Sequence, residues 1–335
     1  MKDAAIVILN YNGKDMLEKF LPIVLKNSDF EVIIADNCSN DGSQEFLSSH
    51  FKSLQLIQLD ENLGYSQGYN EALKRIQGQY SYYILLNSDV EVTPYWDSAL
   101  IKWLEKHREY AAVQPKVLSQ QNPKVFDYAG AGGGYIDQLG YPFCRGRILE
   151  TIEEDKGQFD GDVQVDWVSG ACFAIKAELF HAVGGFESSF FAHMEEIDLC
   201  WRLSRNGWKL GYTGGIKVKH VGGGTLSRTS PFKTYLNFRN NLLMLYRNLN
   251  SWGFFKVMML RVFFDLAAIL HFGLFGKGEH AKQVIKAYRD FFKMSAKMER
   301  KAPLASKLPF QKASKQVFSI VLSYYLKRKK YYSEV

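Results

Sequence analysis

A chain of 335 residues that is 47% apolar supports one large packed domain, or a domain with an appendage, and its charged residues keep most of it soluble. The net charge of +7 is unevenly spread: from Lys277 onward Lys and Arg abound beside four acids, Glu279, Asp290, Glu299 and Glu334, which favours an anionic membrane surface or a phosphorylated ligand. Cys38, Cys144, Cys172 and Cys200 are scattered and form no CxxC pair, which argues against a zinc site and a disulfide framework and for reduced thiols in the cytosol.

The N-terminus does not read as a signal peptide, because Asp3 precedes a short apolar run that ends at Asn10. Ala5–Leu9 predicts a strand that ends in Asn10-Tyr11-Asn12-Gly13, followed by a helix to Lys26. Glu31–Ala35 predicts a second strand ending at Asp36, Ser43–Ser49 a helix and Leu54–Leu59 a third strand. After the loop Asn62–Gly68 come a helix through Ile76 and a strand Tyr82–Leu86 ending at Asn87. Such alternation implies an α/β fold with a mostly parallel central sheet, whose ligands bind beyond the carboxyl ends of the strands. Gln114–Asp166 is irregular, and its glycine-dense Ala129–Gly134 reads either as a mobile loop near a substrate or as a plain surface loop. A strand over Val168–Ile175, helices over Ala177–Val183 and Glu195–Asn206, and a strand over Ile216–His220 follow.

Near Ser230 the texture changes to long helical stretches, which divides the chain into residues 1–230 and a helical, basic extension 231–335. No uninterrupted apolar run reaches about 20 residues, so no spanning helix is expected. Phe254–Phe275 is apolar but broken by Lys256, Arg261, Asp265 and His271, as suits a helix lying in a membrane interface; a core helix or a homodimer contact is the alternative. The tail Lys327-Arg328-Lys329-Lys330, set among tyrosines, fits anionic headgroups, and nothing in the chain resembles a nucleic-acid reading element.

Five clusters carry the chemistry. Asn87-Ser88-Asp89 stands at a strand end, where a carboxylate can ligate Mg²⁺ or Mn²⁺ or simply make a turn. Asp36 can accept from a nucleotide base or ribose, while Asp41 suits a cap. Asn62, Gly64, Gly68 and Asn70 open a helix and allow close approach of a ligand or ordinary loop closure. Glu195, Glu196 and Asp198 crowd a helix start; one can serve as general base, whereas Asp198 with Arg202 four residues on suits a structural ion pair. His220 ends a strand before the Gly222–Gly224 run and can ligate a metal.

Together VILNYNG, ADNCSNDGS, NLGYSQGYN, LLNSDVEV, VSGACFAIKAELFHAVGGFESSFFAHMEEIDLCWR and KHVGGGT, from Ala4 to Thr225, resemble glycosyltransferase family 2 with the GT-A fold of nucleotide-diphospho-sugar transferases. The nearest subgroup resembles bacterial rhamnosyltransferases of surface polysaccharide synthesis, whose central loop is similar to Gly132–Gly146. The resemblance implies an inverting, metal-dependent transferase with a dTDP- or UDP-linked donor and a saccharide or lipid-linked acceptor, working on the cytoplasmic face of the plasma membrane. It implies that Asp36 reads the nucleotide, together with Asn10, Asn12, Asn87 and Ser88 around the donor, and that Asp89 and His220 hold Mg²⁺ or Mn²⁺. The usual Glu-Asp pair reads Glu195-Glu196 here, which makes Glu196 the expected base and Asp198 the fallback. A sugar-1-phosphate nucleotidyltransferase would carry a glycine-rich basic loop where Asn10-Tyr11-Asn12-Gly13 stands, and a non-catalytic carbohydrate-binding relic would not need acids at 89, 196 and 198.

Overall fold

The computed structural model describes residues 2–222, 229–298 and 317–335. Gly223, Gly224 and Thr225 of the KHVGGGT segment, and Glu299, lie outside the described residues. The chain begins with β1 (Lys2–Asn10), α1 (Lys14–Asn27), β2 (Glu31–Asp36), α2 (Ser43–His50), β3 (Gln55–Gln58), α3 (Gly64–Arg75) and β4 (Tyr80–Asn87). It continues with β5 (Val90–Val92), α4 (Trp96–Lys106) and β6 (Tyr110–Ser119). Four short strands follow: β7 (Gly134–Ile136), β8 (Pro142–Cys144), β9 (Arg147–Ile148) and β10 (Thr151–Ile152). Then come β11 (Val163–Val165), β12 (Cys172–Lys176), α5 (Ala177–Ala182), α6 (Glu195–Arg205) and β13 (Lys209–His220). The helices α7 (Pro231–Asn248), α8 (Ser251–Leu274), α9 (Gly278–Ser295) and α10 (Ile320–Tyr325) complete the chain.

Among the described residues the main sheet has nine strands, ordered β11-β13-β6-β12-β4-β1-β2-β3 with β5 on β13. Pairing β1, β2, β3 and β4 in parallel, and β6 and β13 likewise, gives six strands of one direction; β5, β11 and β12 oppose them. The period of two along β1 divides the core: Ala5 and Val7 pack with α3, α6 and α7, while Ala4, Ile6 and Ile8 pack with α1, α2 and α4. Each such fully buried branched side chain contributes about 1.5–3 kcal/mol.

Four stretches depart from the sequence expectation. The strand expected from Val168 begins at Cys172, because residues 168–171 turn to meet the end of β4 through an Asn87 N–H bond to the Ala171 carbonyl (3.0 Å). Residues 114–166 are not merely irregular: they finish β6 and build a second, four-stranded sheet in the order β10-β9-β8-β7. The glycine segment is neither a lid nor a surface loop, since residues 130–134 are buried. A Cβ on Gly134 would fall 2.1 Å from the Trp167 indole, and one on Gly130 2.2 Å from Ser169 Cβ. Finally, Ser230 marks no seam: Leu242, Leu243, Met244 and Leu245 of α7 belong to the same core as β1 and α3.

The helix α8 is long and apolar enough to cross a membrane by length and composition, with a mean hydropathy of 1.8, contrary to the expectation from uninterrupted runs. Two of its charges face inward. Arg261 and Asp265 are the residues of α8 that are buried; Arg261 donates to Asn241 Oδ1 (2.6 Å) and lies 3.7 Å from the Tyr141 ring centroid. Asp265 accepts from the hydroxyls of Tyr141 (2.9 Å) and Tyr288 (2.5 Å). Trp252, Phe255, Phe263, Leu266 and Leu270 point outward and are exposed.

Candidate active site

Parallel pairing brings three strand ends together. Register sets Asn10 beside Asp36 and Leu9 beside Asn87, so the carboxyl ends of β1, β2 and β4 form one edge. Asn10 donates through Nδ2 to Asp36 Oδ2 (3.0 Å) and Ser39 Oγ (3.1 Å), while its Oδ1 is buried without a partner. Gly13 lets the chain pass close to that oxygen: a Cβ would lie 2.6 Å from it and 3.4 Å from Ser88 Oγ, and the Asn10 side chain would have to shift. Asn12 accepts the Asn40 N–H at Oδ1 (2.8 Å) and ties the first loop to the second.

Asp36 is fully buried, and its Oδ1 accepts from Ser39 N (2.9 Å), Gln44 Nε2 (3.0 Å) and Gln58 Nε2 (3.1 Å). Burial opposes its ionisation, but the bonds from Ser39, Asn10 and Gln58 hold the carboxyl below its ordinary value. These bonds hold Asp36 in place at the strand end, where it shapes the loop beside the expected base or ribose contact. The third cluster is likewise tied into the chain. Asn62 Oδ1 accepts from Asn37 Nδ2 and Gly64 N, both at 3.0 Å, and Asn70 pairs both ways with the Phe186 backbone at 2.9 Å. Gly64 (φ +71°) and Gly68 make room for chain, not ligand: added Cβ atoms would meet the Phe191 carbonyl at 2.6 Å and Leu9 at 3.1 Å.

Asp89 follows β4, and its counterpart arrives from the far end of the chain. Because β13 runs antiparallel to β5, His220 pairs with Val90, and Val221 N–H bonds the Asp89 carbonyl (3.1 Å). His220 Nε2 then stands 3.2 Å from Asp89 Oδ1, while Gly222 N–H donates to Asp89 Oδ2 (3.1 Å). The other ring nitrogen, Nδ1, lies 3.0 Å from Asp127 Oδ1. Asn87 is 3.5 Å from His220 Nε2 and reaches the ring as a neighbour. Burial lowers the pKa of His220, but its bonds to Asp127 and Asp89 outweigh this and push it up to about 10. Burial likewise opposes the charge on Asp89, and the His220 bond and charge hold that carboxyl below the usual range. Asp127 was not legible in the sequence, where its sole signal is a place just before the glycine-dense segment.

Residues 168–171 connect this pair to the acids of α6. Tyr65 donates to the Gly170 carbonyl (2.7 Å), and a Cβ on Gly170 would lie 3.8 Å from Glu196 Cδ. Glu196 is half-buried, and burial pushes its carboxyl up to about 7. Glu195 is buried, and burial and the charge of Glu196 raise it well above its ordinary value. Oε2 of each has no hydrogen-bond partner. Asp198 faces away and is no base: it is fully buried and bonded by Arg202 Nε (2.8 Å), an Arg247 guanidinium nitrogen (2.7 Å) and Asn248 Nδ2 (2.7 Å).

Asp89 and His220 offer a divalent cation a carboxylate oxygen and an imidazole nitrogen 3.2 Å apart; here those two atoms share a hydrogen bond and the imidazole is held protonated, so a cation bound by both would have to displace the Nε2 proton. The Asp127 contact to Nδ1 is of the kind by which an outer carboxylate would orient a histidine for a metal. Among the described residues no group of three or more His, Cys, Asp or Glu could hold a metal unaided.

A mixed sheet with polar and acidic residues at its carboxyl ends, an Asp89–His220 pair there and a Glu196 carboxyl with one unpartnered oxygen fit the class of GT-A glycosyltransferases. The chain belongs to glycosyl transferase family 2, whose model matches residues 5–184, 180 of the 335 residues. It is similar to N-acetylglucosaminyl-diphospho-decaprenol L-rhamnosyltransferase of Mycobacterium tuberculosis, 26% identical over 64% of this chain and 75% of that one. It is also similar to rhamnosyltransferase WbbL of Escherichia coli K12, 24% identical over 64% of this chain and 82% of that one. Among solved structures, GalNAc-T7 with UDP, GalNAc and Mn²⁺ superposes with a TM-score of 0.56 at 16% identity, over 74% of this chain and 48% of that one. That likeness establishes the GT-A fold.

Proposed function

We propose that this glycosyltransferase moves a sugar, with inversion, from a dTDP- or UDP-linked donor to a saccharide or lipid-linked acceptor in cell-surface polysaccharide synthesis. The observation that supports the reading best is the Asp89–His220–Asp127 chain at the strand ends, linked through residues 168–171 to Glu196, whose Oε2 has no hydrogen-bond partner. Rhamnose is the sugar to test first, since two relatives are named for its transfer. Asp89 and His220 would hold Mg²⁺ or Mn²⁺, which when bound neutralises charge on the leaving diphosphate. Glu196 takes the acceptor hydroxyl proton as that oxygen bonds the anomeric carbon and the carbon–phosphate-oxygen bond breaks. Its raised pKa suits this work near neutral pH. Asn10 and Ser88, beside the Gly13 turn, stand at the strand-end edge where a donor would lie. The test is Glu196→Gln with a panel of dTDP and UDP sugars: transfer is lost and donor binding kept. Wild-type turnover in that variant removes Glu196 as the base.

The acceptor's lipid character is supported by α8. With Arg261 and Asp265 turned inward, its outer face is apolar, and Lys256 sits 5.0 Å from the Trp252 ring centroid at one end. Such a face, with basic residues nearby, fits the interface of an anionic membrane on the cytoplasmic side. Flotation with anionic vesicles is the measurement. Protein left in the soluble fraction at low salt rejects the membrane reading, and a dimer by light scattering would assign the face to a second copy.

A further inference from the structure

The segment ahead of Glu195 is conformationally unusual. Phe191 (φ +65°, ψ −62°), His193 (φ +70°) and Met194 (φ +74°) all take left-handed φ without being glycine, within four residues. Backbone of this kind persists only where its surroundings over-determine it. From one side, α3 supplies the Tyr65 and Ser66 N–H groups, which donate to the Phe191 carbonyl at 2.6 and 3.1 Å. From the other side comes α7, beyond the residues matched by the family model. Asn240, fully buried, donates through Nδ2 to the carbonyls of Phe190 (2.9 Å), Ala192 (2.8 Å) and His193 (2.7 Å). Its orientation is fixed because Oδ1 accepts from Arg239 Nε (2.9 Å), whose guanidinium also reaches the Ser189 and Phe190 carbonyls at 3.0 and 2.9 Å.

We propose that Asn240 is a positioning residue for catalysis: its carboxamide holds the Phe190–Met194 turn so that the first turn of α6 presents Glu196 to the sheet edge. The geometry is specific, since the two N–H bonds of one amide nitrogen are shared among three carbonyls within four residues of one strained segment. The inference rests on Glu196 being the base, and its test keeps the two claims apart. Asn240→Ala, Glu196→Gln and the double variant are compared with wild type for turnover on the active donor and acceptor pair. Binding of dTDP and of UDP with Mn²⁺ is followed by calorimetry. Asn240→Ala is expected to lower kcat at least tenfold, to leave nucleotide affinity within twofold, and to cost nothing further once Glu196 is Gln. A role in folding alone would instead lower both turnovers in the same proportion. Turnover of Asn240→Ala within twofold of wild type, or an additive loss in the double variant, overturns the proposal. Wild-type turnover in Glu196→Gln alone would instead overturn the assignment of the base. Should Asn240→Ala not fold, Asn240→Ser, which keeps one short donor, is read by the same criteria.

Discussion

Glu196 and Asp198 stand two residues apart on the same helical turn and meet opposite environments. Asp198 is enclosed by Arg202, Arg247 and Asn248, which satisfy both its oxygens. Glu196 faces Gly170 and Tyr65 with one oxygen unpartnered, and burial raises its pKa. Two residues are about 200° of helix, enough to turn one carboxylate into a fixed strut between α6 and α7 and leave the other chemically available. An uncompensated buried acid is costly and persists where it is used.

Exchanging the two acids for amides gives the largest expected effects and separates them. Glu196→Gln should lower kcat by roughly 10²–10⁴-fold, the usual contribution of a general base, while melting no lower than wild type. Asp198→Asn should do the reverse. It leaves Arg202 and Arg247 buried without their anion, a loss of about 3–5 kcal/mol visible in denaturant titration. If Asp198→Asn is as stable as wild type and inactive, the roles assigned to the two faces are exchanged.

The next effect is smaller and concerns the other acid pair on the edge. On the proposed metal site Asp127 would act through His220, so Asp127→Asn should weaken Mn²⁺ binding by about 10–100-fold and leave Glu196-dependent proton removal intact. Mn²⁺ titration followed by transfer rate reads this directly. Unchanged Mn²⁺ affinity would make Asp127 a purely structural partner of the imidazole.

Much of this was legible in the sequence, because strand ends are local. Apolar runs that stop at Asn10, Asp36 and Asn87 already specify a parallel edge and its polar residues. What stayed hidden was non-local. Nothing near Asp36 shows that Gln44 and Gln58 will seal it, and the pairing of Asp127 with His220 depends on how β13 and the segment after β6 are laid side by side. The α7 residues were assigned to an appendage on texture alone, although Asn240, Arg247 and Asn248 complete the surroundings of α6. In α8 two of the charges that break its apolar run, Arg261 and Asp265, are inward contacts, a distinction that needs partners at Tyr141 and Tyr288.

The smallest expected effect is a pH dependence that only one face of α6 should show. Glu196 must be ionised to take a proton, and burial raises its carboxyl from 4.5 to about 7. Transfer should therefore fall by about tenfold per pH unit below about 7 and level off above it. Stability runs the other way. A carboxyl raised in the folded state contributes fully below its unfolded value near 4.5, and that contribution is lost as pH rises through about 7. Glu196→Gln has no such group, so its stability relative to wild type should improve between pH 5 and pH 8. Asp198→Asn, which removes a satisfied carboxylate, should gain nothing on that path. Melting curves of the three proteins at the two pH values decide it: a wild type that loses no stability relative to Glu196→Gln would mean that the unpartnered oxygen carries no burial penalty, and the contrast between the two faces would fail at its electrostatic root.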